Sequence, residues 1–239
     1  MIRQPGAALS ATAHHWTRAI LNLIFPPTCV GCREPGVEWC DRCNQALRRL
    51  SKSACNYCGS PLPHHQKECT QCVEFPDILR IRSYAYYEGS LIKAILHLKY
   101  RPNRRLAEIM GSWLAELAIQ EGMEAERVIA VPLGRKRLNQ RGYNQVDLIA
   151  DGMAKKLGIV REKKALKRIR ETQSQVGLDP VTRRLNVHNA FQANQQGLKD
   201  QCVFLVDDLF TTGATLLACT SALQEVGVRK VYGLTVARA

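Results

Sequence analysis

Eight of the ten cysteines lie between residues 29 and 72, all in C-x2-C pairs: Cys29/Cys32, Cys40/Cys43, Cys55/Cys58 and Cys69/Cys72. Residues 25–76 are rich in Pro, Gly and Asn and have few long apolar runs. A segment this short, with so little to bury, needs a staple to fold. Each C-x2-C knuckle presents two thiolates from one turn, and two knuckles complete a tetrahedral S4 site. "CVGC…CDRC" and "CNYC…CTQC" read as two such sites in succession, almost an internal duplication. Two zinc ions are therefore expected. Four thiolates per ion leave no open position, so their role is structural. Sequential pairing is the simplest arrangement; an interleaved cross-brace, first pair with third and second with fourth, is the alternative. Disulfides do not suit a reducing compartment. A redox C-x-x-C does not suit pairs that lack strand-then-helix flanks. With eight thiolates available, His64 and His65 are read as loop residues.

The chain has 239 residues and a mass of 26.8 kDa, enough for one medium domain plus an appendage. A formal charge of +13 and a pI near 9.5 point to a polyanionic partner or a phosphorylated substrate. No run reaches the roughly 18–20 apolar residues of a membrane span. His14, His15, Thr17 and Arg18 interrupt any signal-peptide core, so the chain is read as cytoplasmic. Trp16, Ile20, Leu23 and Ile24 share one helical face, which predicts a short amphipathic helix in residues 1–24. Cys202 and Cys219, in a predicted strand and helix, are expected to be buried free thiols.

After residue 77 the pattern changes. "RSYAYY" alternates as a strand does, and "SLIKAILHLKY" is helical behind Ser90 as cap. "RRLAEIMGSWLAELAIQ" is a second amphipathic helix, and "RVIAVPL" is a strand that stops at Pro132. "NQVDLIADGMAKKLG" is helical and closes on Gly158; "ALKRIR" reads as a strand, and Asp179-Pro180 opens a short helix. Strand "CVFLV", helix "GATLLACTSALQEVG" and strand "VYGLTVA" complete the series. Alternating strands and helices predict an α/β domain over 78–239, a mostly parallel sheet with helices on both faces. Ligands of such sheets bind beyond the carboxyl ends of the strands.

Val206 reads as such an end. In "VFLVDDLFTTGAT" an apolar strand runs into Asp207 and Asp208, then into Thr211-Thr212-Gly213-Ala214-Thr215 at the start of a helix. Small residues let the backbone approach a ligand, and N–H groups at the helix start suit a phosphate. Two carboxylates just upstream suit the vicinal hydroxyls of a sugar. A phosphorylated ribose satisfies both halves. No Gly-Lys-Ser/Thr follows, which excludes a Walker loop; an ordinary strand-to-helix turn is the remaining alternative.

The stretch resembles the phosphoribosyl-pyrophosphate (PRPP) signature of type I phosphoribosyltransferases. The resemblance gives the ribose hydroxyls to Asp207 and Asp208 and the 5-phosphate to Thr211, Thr212, Gly213, Ala214 and Thr215. Leu209 stands where that family usually has valine. "VIAVPL", "RGYNQ", "ETQSQVGLDPVTRRLNVHNAF" and "VFLVDDLFTTGAT", in that order behind the cysteine knuckles, resemble the ComF family of competence-associated, GntX-like proteins related to phosphoribosyltransferases. The likeness covers nearly everything after residue 25, with "RGYNQ" where the family commonly has R-G-F-N-Q. It implies a type I phosphoribosyltransferase-like domain over 78–239 and a double zinc-knuckle domain over 25–76. Mg2+ is expected to accompany PRPP.

By the same resemblance, Val131-Pro132-Leu133-Gly134 and its continuation correspond to the pyrophosphate loop. Arg135, Lys136, Arg137 and Arg141 then crowd the place of a diphosphate, Arg137 and Arg141 being the residues assigned to PRPP. A solvated basic loop is the alternative. Residues 169–184, with Thr172, Gln173, Gln175 and Gly177, are read as a hood over the site; Arg183, Arg184 and Asn186 either reach the ligand or cap and pair within their own helix. No general base and no nucleobase slot can be identified from spacing.

Two functional classes follow. In the first, the chain binds PRPP and handles single-stranded DNA in uptake or natural transformation, alongside proteins of the DNA-uptake machinery. In the second, it is an active phosphoribosyltransferase on an unknown small acceptor with no DNA role. The family's link to transformation favours the first. The clusters "KYRPNRR", "RKRLNQR" and "REKKALKRIR" agree with it: Lys163, Lys164 and Lys167 are assigned to nucleic acid, and Tyr100 and Tyr143 are stacking surfaces.

Overall fold

The computed structural model describes residues 26–50, 55–62, 67, 69, 72, 75–170, 189–194 and 197–239. The N-terminal helix, His64 and His65, the helix at Asp179-Pro180, and all of the hood beyond Arg170, with Arg183, Arg184 and Asn186, lie outside these residues. The chain divides into two compact units between Ala46 and Leu47, inside the segment 25–76. Among the described residues, no helix is long and apolar enough to cross a membrane.

The first unit holds the first cysteine quartet. Its short helix α1 (Asp41–Gln45) is capped by the Cys40 sulfur, which accepts from the Cys43 N–H at 3.5 Å.

The second unit is built on a five-stranded, all-parallel sheet in the order β1-β7-β6-β2-β3. The strands are β1 (Leu79–Tyr86), β2 (Arg127–Ala130), β3 (Val160–Arg161), β6 (Cys202–Phe210) and β7 (Lys230–Arg238). Successive side chains of a strand point to opposite faces. Leu79, Ile81, Val203, Leu205, Ile129 and Val231 therefore share one buried face. Helix α6 (Ala214–Glu225) packs there, with Leu216 close to Ile81 over Gly233, where a Cβ would sit 3.0 Å from Ile81. On the other face Tyr84 stacks on Trp113 of α3 (Arg104–Gln120), with ring centroids 5.0 Å apart. Helices thus cover both faces, as alternation predicts.

Local signals set most boundaries. Asn103 caps α3 by accepting from Leu106 N–H at 3.0 Å. Asn144 caps α5 (Gln145–Leu157), which ends on left-handed Gly158 at φ +70°. Residues Leu106, Ala107, Met110, Trp113, Leu114 and Ala118 of α3 are buried at the spacing of one helical face. Where α3 crosses α5, Gly111 and Gly152 bring the backbones together. A Cβ on Gly111 would sit 2.5 Å from the Ile149 carbonyl oxygen, and one on Gly152 2.8 Å from Glu108 Cα.

Four expectations change. Helix α2 (Gly89–Tyr100) begins behind Glu88, not Ser90, and has no side-chain cap. Strand β3, only two residues long, was not legible. "ALKRIR" does form a strand, β4 (Leu166–Arg168), but it pairs antiparallel with β5 (Phe191–Ala193) in a separate hairpin. Val206 is not the end of β6: the strand continues through both acids to Phe210, because β7 runs alongside it to Arg238. Cys202 and Cys219 are buried free thiols in a strand and a helix.

Candidate functional site

A cavity of about 390 Å3 opens where β2 leaves the sheet. Pairing of β2 with β6 stops at Ala130 and Val206, and Val131 N–H makes a last bond to the Val206 carbonyl at 2.9 Å. Beyond it, Asp207 pairs with Thr235 of β7, and Asp207 and Asp208 both border the cavity.

Adjacent residues of a strand face opposite ways, so the two acids are not equivalent. Asp208 meets the α2/α5 side. Its Oδ2 accepts from Gln145 Nε2 at 2.7 Å and lies 3.3 Å from Lys99 Nζ, and the residue is buried. Asp207 lies towards Arg168 of β4 and Cys219 of α6. Its Oδ1 accepts the N–H of Asp208 at 2.8 Å. Burial, and then the charge of Asp208, push its carboxyl up to about 7, against weaker pulls from that N–H, Lys99 and Arg168.

The motif "RGYNQ" builds the opposite wall. It follows α4 (Arg135–Arg141), which closes on Gly142 at φ +74°. Arg141 donates to Gln145 Oε1 at 3.0 Å, and its guanidinium stands 5.8 Å from the Tyr100 ring. The Tyr143 hydroxyl donates to the Leu98 carbonyl. Asn144 donates to the Val131 carbonyl at 3.1 Å while capping α5. The motif therefore ties together the end of α2, the end of β2 and the Asp208 carboxylate.

Of the residues assigned from sequence, the cavity brings together Asp207, Asp208, Arg137, Arg141, Thr211, Gly213, Ala214 and Thr215. Thr212 turns away from it: its hydroxyl accepts from Ala214 N–H at 3.5 Å, closing the turn at the head of α6. Arg135 and Lys136 are exposed on α4 and do not border the cavity. Three polar lining residues were missed: Lys99, Gln145 and Arg168. Gln145 was within reach as the last letter of a quoted motif. Lys99 and Arg168 stand in the basic clusters "KYRPNRR" and "REKKALKRIR" credited to nucleic acid, and nothing in their spacing separates them there from the other cations. The lining has four cationic side chains, Lys99, Arg137, Arg141 and Arg168, against two carboxylates. That balance suits a ligand with more than one phosphate.

The basic residues assigned to nucleic acid are on the surface. Lys163 pairs with Asp151 at 3.5 Å. Lys164 and Lys167 are exposed and border a second hollow of about 220 Å3 beside Gln192 and Asn194. Tyr100 is 73% exposed and open to stacking, whereas Tyr143 is half-buried and engaged with Leu98.

The cysteines resolve into Cys29, Cys32, Cys40 and Cys43, and Cys55, Cys58, Cys69 and Cys72, with the sulfurs of each quartet within 4.8 Å of one another. Pairing is sequential, and none of the eight is in a disulfide. Zn–S bonds near 2.3 Å set the edge of a ZnS4 tetrahedron at about 3.8 Å. The measured edges agree: 3.7 Å for Cys29–Cys43, 3.5 Å for Cys32–Cys40, 3.7 Å for Cys58–Cys69 and 3.3 Å for Cys69–Cys72. The quartets also share their second layer. The third cysteine's N–H donates to the first one's sulfur at 3.4 Å in both, Cys40 to Cys29 and Cys69 to Cys55. Each first knuckle turns on a left-handed residue four positions on, Arg33 at φ +68° and Gly59 at φ +67°. The duplication in sequence is a duplication in structure, and both donor sets fit structural zinc.

The description "Double zinc ribbon domain" matches residues 20–73, and "Phosphoribosyl transferase domain" matches residues 138–238. The chain is 32% identical over 225 residues to DNA utilization protein YhgH of Salmonella typhimurium, covering 87% of this chain and 96% of that one. It is 30% identical over 209 residues to Competence protein F of Haemophilus influenzae, covering 84% and 90%. Competence protein ComFC of Bacillus subtilis is 24% identical over 207 residues, with 81% of each chain covered.

Proposed function

We propose a function that starts from kinship: this chain belongs to the ComF family of competence-associated, phosphoribosyltransferase-related proteins with an N-terminal double zinc ribbon. It binds PRPP in the cavity at the end of β6 and handles single-stranded DNA during DNA uptake, in the cytoplasm and alongside proteins of the uptake machinery. The observation that carries the ligand assignment is one wall of that cavity, where Asp207 and Asp208 are followed within seven residues by Thr211, Gly213, Ala214 and Thr215 at the head of α6.

The N–H groups that open α6 attract the 5-phosphate. Asp207 and Asp208 take the ribose hydroxyls. Arg137 and Arg141, on the wall across from the acids, take the diphosphate, for which the guanidinium fork is suited. Mg2+ comes with the ligand: it is commonly held by one or two carboxylates together with substrate phosphates, and Asp208 already pairs with Lys99. When bound, the ion would offset diphosphate charge. The competence and DNA-utilization names of the relatives support the DNA role, as do the exposed Lys164, Lys167 and Tyr100.

The test is calorimetry of PRPP with Mg2+ on the wild type and on the double variant Asp207→Asn, Asp208→Asn. Loss of about 1.5–3 kcal/mol per charged hydrogen bond weakens binding at least tenfold. Unchanged affinity in the variant overturns the assignment. Pyrophosphate release from PRPP with small acceptors, together with no DNA binding, would favour the transferase reading instead.

A further inference from the structure

The phosphate loop and the second cysteine quartet belong to the same compact unit and share a contact chain through three buried side chains. Arg238, the last residue of β7, donates from Nη1 to the Cys58 carbonyl at 2.8 Å and from Nη2 to the Ser60 hydroxyl, and Nη2 lies 3.9 Å from the Cys58 sulfur. Its guanidinium also covers the Phe210 ring, 4.4 Å from the centroid. Phe210 ends β6 immediately before Thr211 and borders the cavity.

A second arm comes from the other end of the quartet. Phe75 N–H donates to the Cys72 carbonyl at 3.0 Å. The Phe75 and Phe210 rings meet over Gly213, where a Cβ would lie 3.0 Å from each. Gly213, at φ +78°, is the turn of the phosphate loop. The two rings therefore wedge that turn from below, one held by Arg238 and the other by the backbone of the last cysteine knuckle. Arg238, Phe210 and Phe75 are 8%, 3% and 6% exposed, so none has solvent as an alternative partner.

We propose that Arg238 is a positioning residue for the phosphate loop, and that zinc in the second quartet is thermodynamically coupled to the phosphorylated ligand bound at Thr211–Thr215. The proposal rests on the cavity being the PRPP site. A buried guanidinium keeps its place only with its hydrogen bonds made. Here those bonds go to Cys58 and Ser60, in a knuckle whose fold depends on a cation among its four thiolates. Loss of the metal opens the knuckle, releases Arg238, and uncovers Phe210 beneath the loop. Coupling of binding free energies is reciprocal, so ligand that orders the loop must also tighten zinc in that quartet. The cysteines of the first quartet lie in the other compact unit.

The experiment measures zinc affinity by equilibrium competition between the full, zinc-loaded chain and a chromogenic chelator, with and without PRPP and Mg2+. PRPP should tighten the affinity for one of the two ions about fivefold or more, the lower end of common coupling strengths, and leave the other unchanged. Arg238→Leu should keep both zinc ions by metal analysis, lose the tightening, and bind PRPP about fivefold more weakly or worse. Arg238→Lys, which retains a donor for the Cys58 carbonyl, should restore part of both. PRPP binding with zinc affinity unchanged for both ions overturns the coupling alone. No PRPP binding to the wild type overturns the ligand assignment and the coupling with it. Should Arg238→Leu fail to fold, the wild-type zinc affinities with and without PRPP decide the coupling by themselves.

Discussion

Gln145 holds Asp208: its amide donates to the carboxylate at 2.7 Å while its oxygen accepts from Arg141 at 3.0 Å. The end of one motif is thus joined to the centre of another 63 residues away. Gln145→Leu keeps the volume and removes both bonds. It should cost about 1.5–3 kcal/mol in urea unfolding, the range for a hydrogen bond to a charged group. Combined with Asp208→Asn, the two changes should be clearly non-additive, as expected of residues in one network. Simple additivity would mean that the contact contributes nothing.

Asp207 makes stability depend on pH. Its carboxyl is pushed up to about 7 in the folded chain by burial and then by Asp208, against roughly 3.9 when unfolded. The folded state therefore binds the proton more tightly. This contribution is fully present below about pH 4, is lost progressively as pH rises towards 7, and is flat above that. Denaturant unfolding at pH 5 and pH 8 should show a wild-type decline that Asp207→Asn lacks. Asp208→Asn should move the decline to lower pH, since one of its causes is gone. An identical pH difference in wild type and Asp207→Asn would refute the assignment.

Gly111→Ala tests the α3–α5 crossing. Alanine favours a helix by about 1 kcal/mol over glycine. At this position its methyl carbon would lie 2.5 Å from the Ile149 carbonyl oxygen and the Met153 nitrogen, both backbone atoms that a rotamer change cannot move. Overpacking of this kind costs about 1–3 kcal/mol, and with backbone on both sides the upper part of that range applies. Net destabilisation should appear as a lower melting temperature. A rise would show that the helices part without penalty.

Metal analysis of the purified chain should give about two zinc per molecule, one for each set of four thiolates. Cys29→Ser or Cys72→Ser should lower the count and promote aggregation, because the remaining thiolates lose the cation that organises them. A count near zero with oxidised thiols would contradict the donor geometry.

Single-stranded DNA binding, measured with a fluorescent oligonucleotide, should weaken with salt at a log–log slope of about −0.7 per neutralised phosphate. Replacing Lys163, Lys164 and Lys167 together by Ala should flatten that slope. Lys164 and Lys167 should account for most of the change, since Lys163 already pairs with Asp151 at 3.5 Å. Asp207→Asn with Asp208→Asn should leave DNA affinity equal or slightly higher. Absence of binding at low salt removes the DNA role.

Patterns whose physics is local were decided by the sequence alone. Four C-x2-C pairs specify two thiolate tetrahedra, because each knuckle is a single turn and the segment has little else to bury. Asn103 marks a helix start by its side-chain cap, and Gly158 a helix end by its left-handed backbone. The strand-to-helix run through Asp207, Asp208 and Thr211–Thr215 marks the candidate site, because its acids, hydroxyls and helix-start N–H groups all lie within nine residues. What lay outside the sequence depends on distant partners. β6 runs past Val206 only because β7 extends to Arg238 beside it. The two acids, identical on paper, differ because strand alternation gives Asp208 to Lys99 and Gln145 and leaves Asp207 by Cys219 and Arg168. Lys99 and Arg168 reach the cavity from elements 69 residues apart, and no spacing rule relates them. The bond from Arg238 to Cys58 spans 180 residues, a distance in sequence that only the packed fold can close.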